Sequence, residues 1–274
     1  MVTFSKLYKK IYEHNSKNSD YINNFKKNPY SYIKARYYFI TANLIVYYVQ
    51  NYNFNPRLIS FLYIFQGIIA MIFLNFNNII LNMTALFLFF SKGTLDWSDG
   101  HYARLKNKTS ITGHILDVYG ARLNSTFFLI GFGFYQYQKY NNDIFIYMVI
   151  LIPLLTLGYF EKYAYQLMFI NLKKNKLEKT ILDKNKKNKP NVIDKHYKKY
   201  KKYFINFLDD RSRTIDLILL FLLIEIIYNF SFTFIIFFII FFKWLVIWLF
   251  SLFFHTTDNW SEKIILNKEN EIDK

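Results

Sequence analysis

Within 22 residues of a 274-residue chain lie three carboxylates, an arginine and two glycines, at spacings that can do phosphoryl chemistry. Asp96 and Asp99 are three apart, so a helix puts them on one face, with Gly100 and Ala103 alongside. Gly113 and Asp117 are four apart and share a face of the next helix. Residues 105–112 make a short polar link, which predicts that the two helices run as antiparallel neighbours. The three acids then converge at the linked helix ends, beside residues too small to block a ligand. Carboxylate oxygens suit hard cations such as Mg2+, which commonly bridge substrate phosphates. Acids closed by Arg104, with glycine admitting a flat or charged group, point to phosphoryl transfer on a nucleotide. The plainer reading, helix-end charges facing water, leaves the shared faces and the small neighbours unexplained.

The elements that must position these residues read as membrane helices. Six stretches are long and apolar enough to cross ~30 Å of hydrocarbon, which takes about 20 helical residues. They are residues 57–75, 78–96, 113–136, 144–162, 213–230 and 231–254. Residues 37–50 are apolar but shorter, and their tyrosines suit a helix lying in the membrane interface, with a short extra span as the alternative. The expected fold is therefore all-α: a polytopic membrane protein with a six-transmembrane-helix bundle and an N-terminal interfacial helix. Residues 1–54 form the N-terminal part, 55–254 the six-helix domain with a basic loop at about 171–208, and 255–274 a C-terminal tail.

Charge sets the topology. Residues 171–205 hold thirteen Lys and only three acids, Glu178, Asp183 and Asp194. Arg104, Lys106 and Lys108 add to the link between the second and third spans, whereas Lys139 is the only Lys or Arg in the other three loops. The positive-inside rule places both termini, that link and the basic loop in the cytoplasm. The loop also suits anionic lipid head groups or a polyanionic substrate. A formal charge of +16 at 53% hydrophobic content excludes a disordered chain. The absence of Cys excludes disulfides, zinc thiolates and a thiol nucleophile. The Lys, Asn, Ile, Phe and Tyr excess fits an AT-rich coding sequence, and the Lys-rich stretches lack recognition signatures, so no nucleic-acid partner is expected. Glu225 is the only midspan acid and no internal repeat occurs, which ranks a transporter low.

The constellation Asp96, Asp99, Gly100, Ala103, Arg104, Gly113 and Asp117 resembles the signature of the CDP-alcohol phosphatidyltransferases. Asn55-Pro56 with Ser60 also resembles the family's start of its first core helix. The resemblance implies transfer of a phosphatidyl or similar phospho-alcohol group from a CDP-linked donor to an acceptor alcohol, with release of CMP. It implies that Asp96, Asp99 and Asp117 hold Mg2+ or Mn2+, with Asp117 and Arg104 catalytic. Gly100, Ala103 and Gly113 would line the substrate. Phosphate recognition falls to Arg122 and to Arg211 or Arg213; these survive in a chain with six Arg against 29 Lys, where arginine's bidentate fork is the plausible reason to keep them. Topology anchoring by snorkelling is the competing role for the same arginines. The lipid bilayer is the implied environment, a bacterial cytoplasmic membrane the implied location with the site on its inner side, and a homodimer the implied assembly.

The pattern departs from the family at one place. A fourth Asp belongs at 121, where the chain has Ala121 followed by Arg122. Alanine neither binds metal nor serves as a general base. Asn124, His114, Asp209, Asp210 and Asp216 are the nearby polar residues that could stand in. A catalytically impaired relative that binds nucleotide or lipid without turnover is therefore the second expectation.

Overall fold

The computed structural model describes residues 3–18, 29–157 and 213–257. Among them are eight helices and no strand. The chain divides into two compact units, residues 1–141 and 142–274. The basic loop at 171–208, Arg211, Asp209, Asp210 and the tail beyond 257 lie outside the described residues.

The first unit contains α1 (Phe4–Asn18), α2 (Pro29–Val49), α3 (Arg57–Leu74), α4 (Ile79–Leu105) and α5 (Ile111–Tyr140). Local signals start and stop these helices where the sequence places them. Asn78 opens α4 by accepting from the Ile80 and Leu81 amides at 2.9 and 3.2 Å. Ser110 does the same for α5 through the Gly113 amide at 3.0 Å. Each side-chain cap satisfies amides that the first turn leaves without a partner. Asn141, with φ 48, closes α5 in the left-handed region that Asn tolerates.

Among the described residues two helices, α3 and α4, are long and apolar enough to cross a membrane. Their outward faces carry Phe61, Phe65 and Ile72 on α3 and Ile80, Phe87 and Phe90 on α4, all exposed. A bilayer solvates such a face, whereas water penalises it. The helix expected at 37–50 is longer than the sequence reading and begins at Pro29, so polar residues 29–36 belong to it.

One packing expectation is corrected. Consecutive helices α4 and α5 meet little; α3 packs extensively against both. The reason lies in side-chain size. A Cβ at Gly131 of α5 would stand 3.1 Å from the Met71 Cα of α3, and one at Gly67 of α3 would stand 2.8 Å from Asn124 Nδ2 of α5. Small residues let these backbones approach closely, as helix pairs in lipid commonly do. On the other flank α2 clamps onto α4. The Tyr38 hydroxyl donates to the Phe90 carbonyl at 2.7 Å, and the Thr41 and Thr94 hydroxyls pair at 3.0 Å. The outer end of α4 is pinned by Tyr102, whose ring stacks on Phe54 at 4.5 Å and whose hydroxyl donates to the Tyr52 carbonyl at 2.6 Å.

The second unit contains α6 (Ile144–Leu157), α7 (Arg213–Tyr228) and α8 (Thr233–Thr257). Glu225, the midspan acid of the sequence, is fully buried and caps α8: its Oε2 accepts from the Phe232 and Thr233 amides at 3.0 and 2.7 Å. A carboxylate at a helix N-terminus also meets the positive end of the helix dipole. Glu225, on α7, thus ties that helix to the start of α8.

Candidate active site

The acids expected to act together do gather, at the linked ends of α4 and α5. Asp96 and Asp117 face each other at hydrogen-bonding range, and Asp99 interacts with both. Asp99 is buried, and its Oδ2 accepts from the Ser60 hydroxyl of α3. Helical periodicity explains the meeting: residues 96, 99 and 103 share a face of α4, and α5 begins six residues after α4 ends.

Arg104 turns its guanidinium back along α4. A Cβ at Gly100 would stand 3.3 Å from both Arg104 Nη1 and Nη2, so the missing side chain is what lets the guanidinium lie there. From that position it interacts with Asp99 and Asp117. His114, exposed on the first turn of α5, interacts with Asp117. Gly113 meets its own cap, Ser110 Oγ, at 3.1 Å from a built Cβ, so its smallness serves the start of α5. Ala103 supplies a carbonyl to the Lys108 amide at 2.8 Å, closing the turn of the link.

The metal expectation is only partly met. Among the described residues no group of three or more His, Asp or Glu side chains is arranged to hold a metal ion. Asp99 is drawn toward Ser60, leaving Asp96 and Asp117 as the facing pair. That pair nonetheless fits a hard cation. Two carboxylates do not face each other so closely without a proton or cation between them, and Asp96 Oδ1 is buried without a hydrogen-bond partner. The donor set is oxygen alone, which suits Mg2+ or Mn2+.

Of the candidates to replace the missing acid at 121, Asn124 has its amide nitrogen engaged in packing. It is fully buried in the α3–α5 seam, and its Nδ2 donates to the Tyr63 carbonyl at 2.9 Å. Arg122 lies half-buried on α5. Arg213 opens α7, and its side chain lies outside the described ones. Asp216 belongs to the first turn of α7, in the second unit.

Sequence reasoning missed three residues and gave a fourth, Ser60, no role in the site. Tyr63 of α3, 2% exposed, interacts with all three acids. Ser60 was noted only as a family resemblance, yet it binds Asp99. Lys92 of α4 is 8% exposed, one turn before Asp96 and interacting with it. Lys34 of α2 is also buried, with Nζ 5.3 Å from the Tyr38 ring centroid and 5.8 Å from that of Tyr30. Burial first, and repulsion from Lys92 second, pull the Lys34 ammonium down to about 7. A signal for Lys92 was present: a lysine inside an apolar stretch is costly and by default functional. Nothing local marked Lys34.

The family model for CDP-alcohol phosphatidyltransferase matches residues 53–187, which include α3, α4, α5 and every acid of the site. No curated protein and no solved structure matches the chain.

Proposed function

Taking residues 53–187 as a CDP-alcohol phosphatidyltransferase domain of an integral membrane protein, we propose that the chain moves a phosphatidyl or related phospho-alcohol group from a CDP-linked donor to an acceptor alcohol. The acceptor oxygen attacks the donor phosphorus, the P–O bond to cytidine monophosphate breaks, and CMP leaves. The observation that carries this reading is the facing pair Asp96–Asp117 with Asp99 and Arg104 around it.

The family is generally dependent on a divalent metal. Asp96 and Asp117, with Asp99 beside them, would hold such an ion, which would supply Lewis-acid neutralisation of phosphoryl charge. Arg104 presents its guanidinium to the diphosphate from above Gly100, where preorganised charge acts on the departing phosphate without reorganisation cost. Gly100 and Ala103 leave room for the nucleotide. Ser60 fixes Asp99 and so fixes the shape of the acid cluster. With Ala121 in place of a fourth carboxylate, Asp117 one turn earlier is the group we assign to take the proton of the acceptor hydroxyl. Arg122, one residue beyond Ala121, is assigned to the acceptor's anionic group. The donor's acyl chains enter from the bilayer beside α3 and α4, whose outer faces are apolar. The proposed setting is a bacterial cytoplasmic membrane with the site on its inner side, where the flanking Arg104, Lys106 and Lys108 favour the cytoplasm.

A second reading, an impaired relative that binds CDP-linked ligands without turnover, is favoured by Ala121. One experiment separates the two. Protein purified into nanodiscs is assayed for CMP release from CDP-diacylglycerol with Mg2+ or Mn2+ over a panel of acceptor alcohols. Release that depends on metal and disappears in Asp96→Asn supports the transferase. Silence with every acceptor, alongside retained binding of the CDP-linked lipid, supports the impaired relative.

A further inference from the structure

We propose that Tyr63 is a further catalytic residue, whose hydroxyl holds the attacking oxygen of the acceptor alcohol beside Asp117. The assignment deepens the transferase reading and rests on it.

Contacts on both sides of α3 fix where Tyr63 stands. One turn before it, the Ser60 hydroxyl donates to Asp99 of α4, and one turn after it, Gln66 Nε2 donates to Ser91 Oγ of α4 at 3.1 Å. The two helices therefore run in opposite directions, and Tyr63, midway between Ser60 and Gln66, comes level with Asp96. Toward α5, a Cβ at Gly120 would stand 3.4 Å from Tyr63 Cδ1, so the ring lies against that glycine. The Tyr63 carbonyl accepts from Asn124 Nδ2 at 2.9 Å, one turn further along α5. Tyr63 is thus held between Asp96 and the turn of α5 that carries Gly120 and Ala121, the level at which the chain lacks its fourth carboxylate. All three acids act on its side chain, in keeping with that place.

The hydroxyl at this place is uncommitted. Tyr63 is 2% exposed, and its hydroxyl makes no hydrogen bond among the described residues. It is also not one of the polar atoms that the fold seals off completely. Contact with Gly120 needs only the ring, which Phe would supply without a polar atom. A buried hydroxyl with no partner is costly, and a ligand that completes its hydrogen bond removes the cost. The neighbours do not offer the same atom. Ser60 has given its proton to Asp99, and the free atom of Asn124 is Oδ1, which accepts and cannot donate.

The chemistry needs a donor there. As the acceptor oxygen bonds to phosphorus and the P–O bond to CMP breaks, the acceptor's proton passes to Asp117. A second group must hold that oxygen in line while its proton leaves. The phenol donates to a lone pair of the oxygen and keeps its own proton throughout. Ala121 has no atom for this task.

The test uses the full chain in phosphatidylcholine nanodiscs, with CDP-diacylglycerol, Mg2+ or Mn2+, and glycerol 3-phosphate, serine or inositol as acceptor. The fastest of the three acceptors is carried forward. Tyr63→Phe removes an oxygen that the fold does not use, so its thermal midpoint should match wild type. Its kcat/KM for the acceptor should fall about a hundredfold, the scale of a misplaced nucleophile, with the donor KM changed less than about twofold. Adding Ala121→Asp to Tyr63→Phe should recover at least about tenfold, because a carboxylate at the same level can take the acceptor's hydrogen bond. An unchanged acceptor kcat/KM in Tyr63→Phe overturns the assignment and leaves the transferase reading standing. A donor KM that rises as much as the acceptor KM also overturns it and gives the hydroxyl to the diphosphate. A lowered midpoint with activity lost in proportion makes the hydroxyl a packing group and overturns it too. Silence of the wild type with all three acceptors removes the transferase reading, and the assignment falls with it.

Discussion

Along the seam between α3 and α5, Gly67 and Gly131 bring two backbones together, and Asn124 spends its amide on the Tyr63 carbonyl. On the side of α4 that carries the acids, Asp96 Oδ1 and Arg104 Nε are buried without hydrogen-bond partners, and two lysines are held close enough to repel. The first region resembles an ordinary membrane-helix interface, closed by contact between small residues. The seam leaves one buried polar atom unpaired as well, Asn124 Oδ1, but the second region leaves atoms of charged groups so, and those cost more to bury. The difference separates stability from chemistry within three helices. It also shows why the missing acid at 121 is not replaced by its nearest amide: Asn124 belongs to the closed region.

The largest expected effect falls on the open region. Asp117→Asn and Asp96→Asn should each lower CMP release about a thousandfold while leaving the thermal midpoint close to wild type. A loss under tenfold would remove the acids from the chemistry. Next is Ala121→Asp, which puts a carboxylate one turn after Asp117; with Asp117 already taking the acceptor proton the rate should change less than about tenfold, and a rise of about a hundredfold, the scale of a positioned general base, would take that role from Asp117.

The closed region should respond in stability instead. Gly131→Leu drives a side chain into the Met71 backbone of α3 and should cost about 1–3 kcal/mol, read as a lower midpoint in thermal unfolding. Activity of the remaining folded fraction should stay near wild type. The smallest effect is a pH dependence. The Lys34 ammonium is lowered to about 7 in the folded chain from an ordinary value of 10.5. Between those two values the unfolded chain holds a proton that the folded chain lacks, so stability should rise with pH from about 7 to about 10.5 and level off above. Below about 7 the folded chain carries the buried charge, and its cost is fully present. Lys34→Met should flatten the rise. Equal slopes in the two proteins would mean that Lys92, the tyrosine rings and solvent leave Lys34 no net penalty.

Part of the site was legible in the sequence because it depends on spacing within one helix. Asp96, Asp99 and Ala103 share a face wherever a helix forms, and the caps Asn78 and Ser110 show where helices begin. The link of residues 105–112 was enough to bring Asp117 back to Asp96. The same spacing misjudged the partner of each helix, since it placed α5 along α4 when α3 packs against both. It also gave no sign that the Ser60 hydroxyl of α3 would hold the Asp99 carboxylate.

By itself, then, the chain determined its helices, their apolar faces and the row of acids on one of them, because 3.6 residues per turn turns sequence distance directly into position on a surface. Tertiary structure alone decided that α3 lies against both α4 and α5, that Asn124 is a packing residue, and that Lys34 comes to Lys92 from 58 positions away. Those outcomes depend on which surfaces fit, on Gly131 meeting the Met71 backbone, Gly67 meeting the Asn124 side chain and Tyr38 seating on Gly93. Fit between distant surfaces has no period in the sequence.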